Sequence, residues 1–193
     1  MLLFETIKIE DGRVENIEWH NRRCNRSREK LFSTSERVDL KEYIQPLPSK
    51  GLFRCRITYH TQIESVEFFP YQPKKIQYFN IIKSEIDYSF KYNNREEINH
   101  LLQSTVKDEY GEIIIEKNGL LSDTSIANIA LYDGLSWFTP KTPLLEGTTR
   151  ARLLEKGFLK EKDIEREDIQ HFSHFALMNA MIGFQIQKNI TIN

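Results

Sequence analysis

Four stretches of this chain carry residues able to do chemistry. The first is Gly119 to Arg150, where Ser122, Asp123, Thr124 and Ser125 set one acid among small and hydroxyl residues. A Pro-rich loop downstream ends in Gly147-Thr148-Thr149-Arg150, just ahead of a helix-forming run. A small-residue turn at a helix start offers backbone N–H groups and the positive end of a dipole, which suits a phosphate. A carboxylate upstream of such a turn suits a protonated ring nitrogen, so the pair asks for a phosphorylated ligand carrying a basic group. Lys91 lies between aromatics, in Tyr88-Ser89-Phe90-Lys91-Tyr92, ahead of a polar turn. Partial desolvation there would lower its pKa and release an amine for covalent attack on a carbonyl. Arg23 stands on an Arg-rich helical stretch, and Asn179 sits between Met178 and Ala180 near the C-terminus. Taken singly each has a plainer reading: a solvated lysine, an Asx turn, a helix cap, surface charge, a strand-end amide.

The elements expected to position these residues alternate strands with a few helices. Leu2 to Ile9 reads as a strand turning at Asp11-Gly12 into Arg13–Ile17, and Trp19 to Phe32 as a helix with a polar face. A short helix is expected around Leu40–Ile44, then a hairpin of Phe53–His60 and Ile63–Phe69. Pro70-Tyr71-Gln72-Pro73 breaks the pattern and marks a domain boundary, giving 1–72 and 73–193. Beyond it, strands are expected at Ile76–Lys83, Glu112–Glu116, Ile126–Tyr132, Leu135–Phe138, Phe175–Met178 and Phe184–Ile192. Helices are expected at Arg95–Gln103 and Thr149–Lys156, with a helical or turn-like Ile164–Gln170. This is an α+β pattern in two lobes.

Composition narrows the partners. The chain has 193 residues, 39% of them hydrophobic, and a formal net charge of −1. That balance gives no reason to invoke nucleic acid or an anionic membrane, and no apolar run approaches the roughly 20 residues of a bilayer span. The N-terminus is charged within five residues and does not read as a signal peptide. Cys24 and Cys55 lack metal-ligand spacing and read as free thiols of a reducing cytoplasm, and the five histidines form no zinc motif.

In chain order, from Phe4 to about Ile186, these pieces resemble the class IV (fold type IV) pyridoxal-phosphate enzymes: branched-chain aminotransferases, D-amino-acid aminotransferases and aminodeoxychorismate lyases. Phe4-Glu5-Thr6-Ile7-Lys8 with Asp11-Gly12 looks like the opening strand and hairpin. His20-Asn21-Arg22-Arg23 looks like the His-x-x-Arg helix, which gives Arg23 the cofactor phosphate. Lys91-Tyr92-Asn93-Asn94-Arg95 is similar to the segment of the Schiff-base lysine, and Ser122 to Asn128 to the Thr-Glu-Gly-Ser-x-x-Asn signature. Leu145-Glu146-Gly147-Thr148-Thr149-Arg150 resembles Leu-Pro-Gly-Ile-Thr-Arg, so Thr148 and Thr149 inherit phosphate contacts. Leu177 to Gly183 looks like the Asn-Ala/Ser-Leu-x-Gly run of the lyases, where Asn179 and the Ala180 amide would complete the phosphate site.

The resemblance implies pyridoxal 5'-phosphate as cofactor, a small N-terminal lobe with a larger, mainly β cofactor-binding lobe, and a homodimer acting on a small-molecule amine. It implies Lys91 as the catalytic residue, and Asp123 at the pyridine nitrogen where the family usually has Glu. The chain is shorter at both ends than typical members, and the absence of the usual N-terminal strand and Gly-rich turn leaves part of the substrate-pocket wall either missing or supplied by a partner subunit. Conversion of 4-amino-4-deoxychorismate to 4-aminobenzoate and pyruvate is the favoured activity. A branched-chain or D-amino-acid aminotransferase comes second and a non-catalytic paralogue third. Thr6 is a minor candidate for a proton donor, with an ordinary cross-strand threonine preferred.

Overall fold

The computed structural model describes residues 1–193, and the chain divides into two units. The first comprises Met1–Pro73 with Phe90–Asn94, and the second Lys74–Ser89 with Arg95–Asn193. The sequence placed residues 90–94 in the second block; the chain instead returns to the first unit there, taking Lys91 with it.

In the first unit, β1 (Leu3–Glu10) turns through Asp11 and Gly12, both at positive φ, into the short β2 (Arg13–Val14). Helix α1 (Ile17–Phe32) follows, then a 3-10 turn at Leu40–Tyr43 and the hairpin of β3 (Leu52–Tyr59) and β4 (Ile63–Pro70). The antiparallel sheet runs β2-β1-β3-β4, with Leu3 opposite Tyr59, Glu5 opposite Ile57 and Ile7 opposite Cys55. Side chains alternate across a strand, so these odd-numbered positions share one face. They pack with Cys24 of α1 and with Leu40 and Ile44 into the unit's core. Phe90–Asn94 is tied along β1 by hydrogen bonds from Phe4 N to Lys91 O (3.0 Å) and from Asn93 N to Leu2 O (2.8 Å).

The second unit opens with β5 (Tyr78–Lys83), α2 (Glu96–Thr105) and β6 (Gly111–Lys117), a parallel pair joined by a helical crossover. Next come β7 (Leu120–Thr124), β8 (Asn128–Tyr132), β9 (Trp137–Pro140), α3 (Thr148–Glu155) and β10 (Leu159–Lys162). The chain ends with β11 (His174–Asn179), β12 (Gly183–Gln187) and β13 (Thr191–Ile192). The nine-stranded sheet runs β10-β9-β8-β7-β6-β5-β13, with β11 also paired to β8 and carrying β12. Phe79, Ile114, Leu121, Ile129, Leu131 and Leu177 form its main core. No helix is long and apolar enough to cross a membrane.

Three elements differ from the sequence reading. Ser122 and Asp123, where the sequence suggests no strand, lie in β7, inside the sheet. Their polar atoms find local partners: Ser122 Oγ donates to Thr142 O, and Thr124 Oγ1 both donates to Ala127 O and accepts from Ala127 N. That closed turn also delays β8 to Asn128. The expected Phe184–Ile192 strand breaks near Asn189, whose φ is 55°, and its last residues pair with β5 instead. Strand β10, Leu-Lys-Glu-Lys, has only Leu159 buried and so carried no apolar pattern to find.

Candidate active site

Glu5 lies on the core face of β1 with no exposed surface. An unpaired carboxylate there would be very costly, and α1 supplies two partners one turn apart. Arg23 donates from Nε to Glu5 Oε1 (2.8 Å) and from Nη2 to Oε2 (2.6 Å), while His20 Nδ1 lies 2.6 Å from Oε2. Burial pushes the Glu5 carboxyl up, but the Arg23 charge and the hydrogen bonds from His20 and Arg23 bring it down to about 2. Burial lowers His20 below its ordinary value despite the carboxylate beside it. The imidazole is therefore neutral near pH 7 and donates its Nδ1 proton to Glu5.

Lys91 is half-buried, and its Nζ stands 4.6 Å from the centre of the Phe4 ring. The Arg56 guanidinium stands over the same ring at 3.9 Å and donates to Asn93 Oδ1 at 2.6 Å. Phe4 is the even-numbered neighbour of Glu5, so its buried ring comes from the opposite face of β1 and serves as a cation-π platform. Thr6 lies opposite Arg56 in the sheet, an ordinary cross-strand pair.

In the second unit Asp123 sits at 3% exposure near the end of β7. Asn128 Nδ2 donates to its Oδ1 (2.8 Å) and the Leu145 N–H to its Oδ2 (2.9 Å), while the same Asn128 amide donates to Leu145 O (2.8 Å). The strand and the loop before α3 are thereby stitched into a ring. Burial pushes the Asp123 carboxyl up, and the Leu145 and Asn128 hydrogen bonds with the Arg150 charge pull it only part-way back, to about 6. Its hydrogen-bond donors here are neutral, so it remains a site that gains from a cation.

Helix α3 starts at Gly147 with no side-chain cap and no acidic residue in its first turn. Its first helical bond runs from Ala151 N to Gly147 O. The amides of Thr148 and Thr149 precede that bond, so the helix cannot satisfy them. Both residues are buried, at 6% and 5% exposure. A buried, uncapped helix start is the place an anion would occupy. Close to Asp123 in sequence, Ser125 Oγ is buried without a hydrogen-bond partner. An acid wanting a cation, a helix start wanting an anion and an orphaned hydroxyl fit a phosphorylated aromatic base.

The comparisons with known proteins bear on this arrangement. The Amino-transferase class IV family matches residues 2–190. The chain belongs to this family. An uncharacterized protein of Haemophilus influenzae is 40% identical over 186 residues, covering 94% of this chain and 98% of that one. A crystal structure of a putative 4-amino-4-deoxychorismate lyase from Haemophilus somnus 129PT is 36% identical, covers 94% of this chain and 97% of that one, and superposes with a TM-score of 0.85. The fold alone is shared with a PLP-bound hypothetical aminotransferase of Mycobacterium tuberculosis, at 17% identity and a TM-score of 0.78, with 100% of this chain and 81% of that one covered. The two Haemophilus proteins are thus close to this chain in length.

Within the family frame, Arg23 and Lys91 are in the first unit, and Asp123, Thr148, Thr149, Asn179 and Ala180 in the second. Asn179 ends β11; its Oδ1 accepts from Met181 N (2.9 Å) and Ile182 N (3.0 Å), and its Nδ2 donates to Ile126 O (3.2 Å). That side chain therefore shapes the β11–β12 turn in which Ala180 lies. The sequence reading gave no role to Glu5, Phe4, Arg56 or Leu145. Only Glu5 had a readable signal, an acid on the strand face it shares with the apolar Leu3, Ile7 and Ile9.

Proposed function

We propose that this chain is a pyridoxal 5'-phosphate-dependent lyase that converts 4-amino-4-deoxychorismate to 4-aminobenzoate and pyruvate. The carrying observation is the full-length likeness, at 36% identity, to the Haemophilus somnus protein described as such a lyase. The unsatisfied cation and anion demands of the second unit support the cofactor.

When bound, the cofactor supplies an electron sink for the carbon that bears the substrate amine. Asp123 holds the proton of the pyridine nitrogen; the cation in turn stabilises the carboxylate that burial disfavours. The Thr148 and Thr149 amides, with Arg23 and the Ala180 amide, hold the phosphate, and Asn179 shapes the turn that presents Ala180. Lys91 Nζ would be the point of covalent attachment for the cofactor and, as a free amine, the base that takes the ring proton. Loss of that proton with expulsion of the pyruvate unit makes the ring aromatic, which drives the reaction forward. The enolpyruvate takes up one proton as it leaves, so atoms balance without a co-substrate. Both cysteines are buried free thiols, in keeping with a cytoplasmic enzyme, and we take the working form to be a homodimer.

The test is pyruvate release from 4-amino-4-deoxychorismate by cofactor-loaded protein, with no keto acid added. Lys91→Ala is expected to abolish turnover and to prevent borohydride from fixing cofactor to the chain. Transfer of amino groups to 2-oxoglutarate without pyruvate release would replace the lyase by an aminotransferase. Protein that stays colourless with added cofactor would end both readings in favour of a non-catalytic relative.

A further inference from the structure

Glu5, His20 and Arg23 form a closed group buried to 0%, 1% and 8% exposure, and its charges sum to zero: carboxylate, neutral imidazole, guanidinium. Such a buried pair is a poor device for stability. An apolar trio of similar volume is often as stable or more so, because desolvation cancels most of the attraction. What the pair does supply is geometry. Glu5 holds Arg23 side-on, through Nε and Nη2 together. Two parallel bonds to one carboxylate fix the guanidinium plane, which a single bond would leave free to turn. The His20 contact at 2.6 Å on the same Oε2 stops the carboxylate from rotating in response. Glu5 is itself fixed by strand pairing, through its register with Ile57.

We infer that Glu5 is a positioning residue for phosphate recognition, acting through Arg23 without touching the ligand. The inference rests on the proposed cofactor reading, in which Arg23 is a phosphate ligand. Glu5 holds the guanidinium in one plane before the cofactor arrives, so the ordering entropy of a long side chain is already spent. The opposite effect is also available: a carboxylate this close partly neutralises the arginine and should weaken an anion's hold. The two predict opposite signs for removing Glu5, which makes the inference decidable.

The experiment compares the affinities of pyridoxal 5'-phosphate and pyridoxal, which lacks the phosphate, by absorbance titration. The proteins are the wild type, Glu5→Asp and Glu5→Gln. Glu5→Asp keeps the charge but withdraws it by one methylene, so that it can no longer hold both Arg23 nitrogens and His20; it guards against misfolding of Glu5→Gln. For Glu5→Asp, pyridoxal 5'-phosphate affinity is expected to fall roughly ten- to thirtyfold, the size of a charge-assisted hydrogen bond. Pyridoxal affinity should stay within about twofold, a selectivity that a general loss of packing would not produce. Inorganic phosphate should compete with the phosphorylated form in the wild type and tenfold less well, approximately, in the variant. Unchanged or tighter binding of the phosphorylated form by Glu5→Asp overturns the positioning role, as does an equal loss for both ligands. Failure of the underlying reading looks different: the wild type binds neither ligand, or Arg23→Gln binds both as the wild type does.

Discussion

Gly147 is the residue whose substitution tests the second-unit site most directly. Its backbone, at φ −70° and ψ 145°, suits any L-residue, so Gly147→Ala carries no conformational strain. Through the unfolded chain alone it would stabilise the protein by about 0.4–1 kcal/mol. The added Cβ, however, would run into Asn128 Oδ1 and come within 3.1 Å of Asn128 Cγ. Asn128 cannot simply step back, because its Nδ2 is held at 2.8 Å by both Asp123 Oδ1 and Leu145 O. Retreat sacrifices a hydrogen bond to an ionisable group, about 1.5–3 kcal/mol, and a neutral one, about 0.5–1.5 kcal/mol. After the backbone gain, Gly147→Ala should destabilise the cofactor-free protein by about 2–3 kcal/mol, in the range of an overpacked core. Urea denaturation of a double-mutant cycle provides the assay. In an Asn128→Ala background the same substitution has nothing to strike, and its cost should fall below about 0.5 kcal/mol. Equal costs in the two backgrounds, or a single variant as stable as the wild type, would refute the reasoning.

The remaining predictions concern the buried polar groups around it. Asp123 titrates near 6 when folded and near its ordinary 3.8 when unfolded. The folded state therefore keeps a proton that the unfolded chain releases, and the Asp123 contribution to stability declines as pH rises from about 4 to 6 and stays low above that. Cofactor-free Asp123→Asn should gain on the wild type across that window by on the order of 3 kcal/mol, and a pH-independent difference in denaturation midpoint would contradict it. Ser125→Ala removes the orphaned Ser125 Oγ and should raise cofactor-free stability by about 1 kcal/mol. A loss of stability on denaturation would mean that the hydroxyl is already satisfied.

How much of this could be read from the residues depended on whether the signal was local. The β1 strand, the Asp11-Gly12 turn, helix α1 and the Thr148 helix start are each written in a few consecutive residues, and they appear within a residue or two of expectation. Strand β7 was illegible for the opposite reason. Ser-Asp-Thr is a loop sequence by propensity; pairing with β6 and β8 makes it a strand, and hydrogen bonds to Thr142, Leu145 and Ala127, all outside it, satisfy its buried polar side chains. The return of Phe90–Asn94 to the first unit is likewise a backbone matter, made by amides and carbonyls that every sequence has. Glu5 shows the limit most clearly. In a strand it shares a face with Leu3, Ile7 and Ile9, but nothing in β1 indicates that Arg23, 18 residues later, would be its partner.

The two buried carboxylates divide the candidate chemistry between them. Glu5 is matched inside the protein by Arg23 and His20, sits near pH 2 and needs nothing further. Asp123 has only neutral hydrogen-bond donors, and with the Arg150 charge they bring it back only to about 6, so its remaining demand for a cation is left to a ligand. Two carboxyls in one chain have their ionisations driven apart by environment: one is satisfied by its neighbours within the protein, the other is left to gain from a ligand. The Asp for Glu exchange bears on the same point. With one methylene fewer, Asp123 stays close enough to β7 to be held by the Leu145 amide, and Leu145 lies only two residues before the uncapped start of α3. One short loop therefore touches the acid at one end and leads into the uncapped helix start, the proposed anion site, at the other. A shift at either should be felt at both, which is why Gly147→Ala, a change with no polar atom in it, is expected to weaken the hold on a pyridine nitrogen as well as on a phosphate.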